Sequence, residues 1–177
     1  MIPDIDDDCV STLGWISNNL TDHDSDGCSD HDEDEDDDND GVTDILDLCQ
    51  KGEIGWDSKP YTDWDSDGCN DLTEDDDDDN DMVSDNIDSC WRGLSNWVSN
   101  SEFDYDGDGC HDLSEDEDDD NDGVYDLNET GIILDQCPRS PLDAQDVDET
   151  GCDATERDTD ADGVVDAGDQ CPGTPHG

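Results

Sequence analysis

The chain is poor in everything from which an ordinary globular core is made. Of 177 residues only 28% are hydrophobic, a share that already includes nine cysteines and five tryptophans, and there is one phenylalanine. A chain with so little aliphatic mass falls, by composition, among those that cannot bury enough apolar surface to offset the entropy of ordering. Positive charge is scarcer still: five Lys or Arg stand against 59 Asp or Glu, for a formal charge of −54. A field of that sign repels nucleic acid and anionic membrane surfaces, which excludes both as partners. No apolar run approaches the roughly 18 residues that a membrane-spanning helix requires. The opening "MIPDIDDDC" lacks the basic and apolar regions of a signal peptide. Catalytic signatures are missing as well. Among so many carboxylates an acid–base pair arises by chance, and neither a nucleophile constellation nor a phosphate loop is present, so the chain does not read as an enzyme.

What is present argues against simple disorder. Nine cysteines at this density read as disulfides formed in an oxidising compartment. The sequence also repeats itself. "DHDSDGCSDHDEDEDDDNDGVTD" (22–44) aligns with "DWDSDGCNDLTEDDDDDNDMVSD" (63–85) and "DYDGDGCHDLSEDEDDDNDGVYD" (104–126), at a shift of 41 residues each time. Trp15, Trp56 and Trp97 keep the phase, as do Cys28, Cys69 and Cys110. The chain divides on this basis into a partial repeat end (1–9), three repeats (10–49, 50–90 and 91–137, the last with an insertion), and a divergent half-size repeat with a truncated end (138–177).

Inside each repeat the acidic residues follow a ligand spacing. Calcium loops of the EF-hand type present oxygens at positions 1, 3, 5, 7, 9 and 12, with glycine at 6 for the sharp turn and a backbone carbonyl at 7. From Asp22 this gives Asp24, Asp26, the Cys28 carbonyl, Asp30 and Glu33; from Asp36 it gives Asp38, Asp40, the Val42 carbonyl, Asp44 and Asp47. The second repeat offers Asp63, Asp65, Asp67, Cys69, Asp71 and Glu74, then Asp77, Asp79, Asp81, Val83, Asp85 and Asp88. The third offers Asp104, Asp106, Asp108, Cys110, Asp112 and Glu115, then Asp118, Asp120, Asp122, Val124, Asp126 and Glu129. A last loop runs through Asp158, Asp160, Asp162, Val164, Asp166 and Asp169. Asp at odd positions is common in so acidic a chain; the recurrent glycine at position 6 is the more specific signal. Met82 breaks it in one loop. A further stretch from Asp146 has Thr150, Ala154 and Arg157 at ligand positions and reads as a lost loop. About seven calcium ions are therefore expected. Zinc is not, because no close cysteine pair exists.

The cysteines alternate between the end of an acidic pair (Cys9, Cys49, Cys90, Cys137, Cys171) and position 7 of the next loop (Cys28, Cys69, Cys110, Cys152). Two pairings are open: across the non-acidic linkers, as Cys9–Cys28, Cys49–Cys69, Cys90–Cys110 and Cys137–Cys152, or across the acidic halves, starting Cys28–Cys49. The first is favoured because the linkers have no metal to order them, and it leaves Cys171 over. Each linker tryptophan is expected to pack on its disulfide as a miniature core, and the four histidines to be solvated. Asn19 ("NLT") and Asn128 ("NET") are N-glycan acceptor sequons.

The acidic units, together with "DTDADGVVDAGDQCPGTP", resemble thrombospondin type 3 repeats, and "DQCPRSPLDAQDVDETGC" is similar to calcium-binding linkers of bacterial outer-membrane proteins. The resemblance implies a mostly irregular fold with little helix or strand: an elongated rod wrapped around calcium and stapled by disulfides. It implies a structural or adhesive role outside the cell, in a filament, stalk or surface fibre in contact with other copies, or as a spacer in a larger adhesin, outer-membrane protein or secreted enzyme. The 41-residue spacing with tryptophan linkers departs from that family and is closer to acidic repeats of microbial surface proteins.

Overall fold

A computed structural model describes Cys9 and residues 15–128, 130–144 and 146–174. Among these residues there is no α-helix and no β-strand; the chain is a succession of turns and bends, with one isolated antiparallel bridge between Leu127 and Ile133. The sequence explains this. Asp, Asn and Gly favour local side-chain-to-backbone bonds over helix or ladder bonds, and no apolar periodicity exists to bury one face of an element.

The usual distribution of polarity is inverted. The buried hydrophobic residues are Cys28, Cys69, Cys110, Cys152 and Val83, whereas Asp22, Asp38, Asp40, Asp63, Asp104 and Asp135 are at most 2% exposed. Leu20, Ile45, Leu72 and Leu113 lie more than four-fifths exposed. Buried carboxylates without compensation are costly, so the charge they carry has to be balanced by something.

Four disulfides hold the linkers: Cys9–Cys28, Cys49–Cys69, Cys90–Cys110 and Cys137–Cys152, which is the local pairing. Cys171 is a free, exposed thiol. Beside three of these disulfides the chain is pinned by one recurrent backbone bond: Leu48 N–H to the Asp67 carbonyl (2.7 Å), Ser89 to Asp108 (2.7 Å) and Gln136 to Thr150 (2.8 Å). The linker tryptophans Trp15, Trp56 and Trp97 are half-buried. Trp97 sets its edge against His111 (centroids 4.8 Å, 74°), and His111 stacks on Phe103 (5.7 Å). His23 donates from Nε2 to the Gly52 carbonyl at 2.9 Å. His23 and His111 thus differ from the solvated state expected of them: one is held by a backbone carbonyl of the next repeat and the other by two aromatic rings.

By contact density the chain forms two compact units, Met1–Asn80 with Ser84–Asn86, and Asp81–Val83 with Ile87–Gly177.

Candidate metal centres

The loops are assembled from a recurrent set of short-range bonds. The position 1 carboxylate accepts the position 6 N–H: Asp22 from Gly27, Asp36 from Gly41 (3.1 Å), Asp63 from Gly68, Asp104 from Gly109, Asp118 from Gly123 (3.0 Å) and Asp158 from Gly163 (2.8 Å). Position 5 accepts the position 7 N–H: Asp26 from Cys28 (2.7 Å), Asp40 from Val42 (2.7 Å), Asp67 from Cys69, Asp81 from Val83, Asp108 from Cys110, Asp122 from Val124 (2.7 Å) and Asp162 from Val164. The closing Asp accepts the N–H of the cysteine two residues on: Asp47 from Cys49, Asp88 from Cys90 and Asp135 from Cys137, each at 2.6 Å, and Asp169 from Cys171 at 2.8 Å.

One oxygen of each such carboxylate is therefore taken by the backbone. Several of the second oxygens are buried without a hydrogen bond: Asp22 Oδ2, Asp36 Oδ1, Asp40 Oδ2, Asp47 Oδ2, Asp118 Oδ1, Asp122 Oδ2, Asp135 Oδ2 and Asp169 Oδ2. Carboxylate oxygens of Asp22, Asp24 and Asp26 lie within 4.8 Å of one another, as do those of Asp36, Asp38 and Asp40, and those of Asp63, Asp65 and Asp67. Carboxylates clustered in threes, together with buried carboxylate oxygens that no donor meets, fit a hard cation with oxygen ligands. Among the described residues, many of these acidic clusters suit a metal ion. The Cys28 sulfur also lies beside Asp26 and Asp34, but it is bonded to Cys9, so only its carbonyl is a candidate ligand.

Burial is the first cause of the proton affinities, and neighbouring carboxylates add to it. The Asp47 and Asp65 carboxyls are pushed up to about 7, and those of Asp40, Asp106 and Asp120 to about 6. Asp24, Asp36, Asp118 and Asp135 shift in the same direction.

Position 9 also closes the loops. Asp30, Asp44, Asp71, Asp85, Asp112 and Asp166 each accept the position 2 N–H of their own loop, from His23, Asp37, Trp64, Asp78, Tyr105 and Thr159. The second oxygen of Asp30 accepts from Lys51, which also reaches Asp37 (3.2 Å). The second oxygen of Asp112 accepts from Arg139 (2.5 Å). These carboxylates close loops, two of them also meet a basic side chain, and Asp126 alone of the position 9 set keeps a buried oxygen without a hydrogen bond. Asp79, Asp81 and Asp88 are buried.

No protein-family model matches the chain, and no curated protein matches it.

Several residues of the sites escape a count by spacing. Asp34, Asp75 and Asp116 lie between two loops, outside the ligand spacing, yet each has a buried Oδ2 without a hydrogen bond. Burial, reinforced by the nearest loop carboxylates, raises Asp34 and Asp75 to about 6 and shifts Asp116 upward. The clue in the sequence is their identical phase. Asn39, Asn80 and Asn121, in the spacer position 4, donate across to the first loop of their repeat: Asn39 to Asp24 and Asp26, Asn80 to Asp65 and Asp67, Asn121 to Asp106 and Asp108. Glu129, expected to close the loop from Asp118, lies outside the described residues. The place held by Asp47 in the first repeat is held by Asp135 in the third. Like Asp47 it is buried, bonds the cysteine N–H and faces its own loop, with Asp122, Asp126 and Asp118 raising its proton affinity after burial. The D-x-C motif is the signal: counting from the cysteine instead of from Asp118 finds it.

Proposed function

We propose that the protein is an extracellular structural protein in which calcium stiffens a disulfide-stapled repeat array, as part of a filament, stalk or surface fibre, and that it is not an enzyme. The observation that carries this reading is the recurrence, every 41 residues, of buried acceptors lacking a hydrogen bond: Oε2 of Glu33, Glu74 and Glu115, and Oδ2 of Asp34, Asp75 and Asp116. Calcium is preferred to magnesium because the sites offer many oxygen ligands on irregular, adaptable loops instead of a rigid octahedron. The four disulfides fit an oxidising compartment. Among the described residues no helix is long and apolar enough to cross a membrane. Asn19 is exposed and available to a glycan; the Asn128 carboxamide oxygen is already engaged by Thr130 and Ile132.

The test combines equilibrium dialysis with sedimentation velocity of the oxidised chain. About seven or more calcium ions should bind, as the recurrent loops require, and excess chelator should change the frictional ratio. Equal sedimentation with and without chelator, or calcium binding no tighter than that of magnesium, would sink the reading.

A further inference from the structure

The stretch from Asp146 keeps the outline of a calcium loop but not its ligands. Gly151 holds position 6 with φ +77°, and Cys152 holds position 7. Thr150, Ala154 and Arg157 replace the acids at positions 5, 9 and 12. The side chain of Arg157 turns back into the loop. Its Nε lies 3.0 Å from Asp148 Oδ2 and donates to the Cys152 carbonyl at 3.4 Å; Nη1 lies 3.6 Å from Asp146 Oδ2, and Nη2 donates to the Asp146 carbonyl. These groups occupy positions 1, 3 and 7, the set that would surround an ion.

We infer that Arg157 is the resident cation of an eighth loop, its guanidinium standing where calcium stands in the other seven, so that this segment keeps its fold when calcium is withdrawn. The inference rests on the calcium reading of the other loops. A planar guanidinium suits this place because it is permanently charged and directs several donors at oxygens around it.

Two further features agree. In the three intact repeats an asparagine at position 4 of the second loop (Asn39, Asn80, Asn121) bridges to acids at positions 3 and 5 of the first loop. Thr150 removes one of those acids, and the position of the bridging asparagine is held by Ala161, which has no donor to offer, in the same positive-φ backbone (56°). The local electrostatics are also reversed. Asp24, Asp65 and Asp106 at position 3 are pushed up by burial, whereas Asp148 at the same position is held below the usual carboxylate range, first by Thr150 and also by Arg157.

Residue-resolved hydrogen exchange of the full oxidised chain, in calcium and in excess chelator, tests this. In the wild type, chelation should accelerate the amides of Gly41, Val42 and Asp44 by about tenfold or more. The amides of Asp148, Gly151 and Glu156, bonded to Cys152, Asp148 and Asp153, should change by less than about threefold. Arg157→Met should make those three amides exchange at least about tenfold faster in chelator. Arg157→Glu combined with Thr150→Asp restores acids at positions 5 and 12; it should bind one more ion than the wild type and make protection of 146–157 depend on calcium. The inference is overturned if the wild-type amides of 146–157 respond to chelator as the other loops do, or if Arg157→Met leaves them as slow as before. If no loop responds to chelator, the calcium reading itself fails, while the Arg157→Met comparison still decides the role of Arg157.

Discussion

At position 6 the glycines do two different jobs. Gly68, Gly109 and Gly151 have positive φ and also lie against the closing aspartate of the preceding loop: an added Cβ would stand 2.3 Å from Asp47 Oδ1, 2.2 Å from Asp88 Oδ1 and 2.0 Å from Asp135 Oδ1. Gly41, Gly123 and Gly163 have φ of +98°, +95° and +88° but nothing within 4 Å. Only backbone strain opposes a side chain there, which is why Met82 is tolerated with φ 82° and 74% exposure. We predict that Gly41→Ala costs about 1–2 kcal/mol from the left-handed backbone alone. Gly68→Ala should cost about 1–3 kcal/mol more, because Asp47 must move. Met82→Gly should stabilise by about 1 kcal/mol. Calcium-saturated chemical unfolding of the three variants ranks them; equal effects at Gly41 and Gly68 would refute the steric role of Asp47. Asp135 gives a second prediction at this scale. Asp135→Asn should lower calcium stoichiometry by one or weaken one site at least about tenfold, the usual scale for losing a ligand or its orienting partner. Glu129→Gln should leave the titration unchanged.

The loops are legible in the sequence because each is made locally. Asx-type bonds span two residues and the position 6 turn spans five, so spacing alone carries them, and the disulfide pattern follows from the linkers' lack of ligands. What is not legible lies between loops. Asp34 and Asn39 fall outside the ligand count because their partners, Asp24 and Asp26, are eight to fifteen residues away, in a preceding loop whose relative position no periodicity encodes. The six-residue insertion of the third repeat hides Asp135 for the same reason: a forward count from Asp118 cannot know that the chain will leave and return. The element that returns it is a small hairpin, closed by the Leu127–Ile133 bridge, with Asn128 N–H bonded to the Ile132 carbonyl and Leu134 N–H to the Asp126 carbonyl (both 2.9 Å). Removing residues 128–133 would leave "DLLD", which matches "DILD" at 44–47. We predict that this deletion keeps the wild-type calcium stoichiometry and the Cys137–Cys152 bond, read by dialysis and by mass mapping of the disulfides. Loss of one ion on deletion would show that the insertion itself supplies a ligand.

Across the whole molecule, carboxylate burial ties folding to protons and, on the proposed reading, to calcium with the opposite sign. In the ion-free chain the folded-state affinities of Asp47 and Asp65 for protons are raised to about 7, and those of Asp34, Asp40, Asp75, Asp106 and Asp120 to about 6, mainly by burial. An unfolded aspartate titrates near 4. The folded ion-free chain therefore holds more protons than the unfolded one between roughly pH 4 and 7, and its stability falls as pH rises through that window. Lowering the pH also relieves the repulsion of a −54 charge that five basic residues cannot offset. On the proposed calcium reading, the ion must displace the same protons, so apparent affinity should be greatest above about pH 7 and decline as pH falls toward about 5. We predict that in chelator the chain sediments as a more compact particle at about pH 4.5 than at about pH 8, and that saturating calcium abolishes or reverses this difference. Tryptophan fluorescence titrations at the same pH values, reporting through Trp56 and Trp97, would give the accompanying shift in calcium midpoint. An ion-free sedimentation coefficient that stays constant across that range, or a midpoint that does not move with pH, would mean that the buried carboxylates are not what couples this fold to its ions.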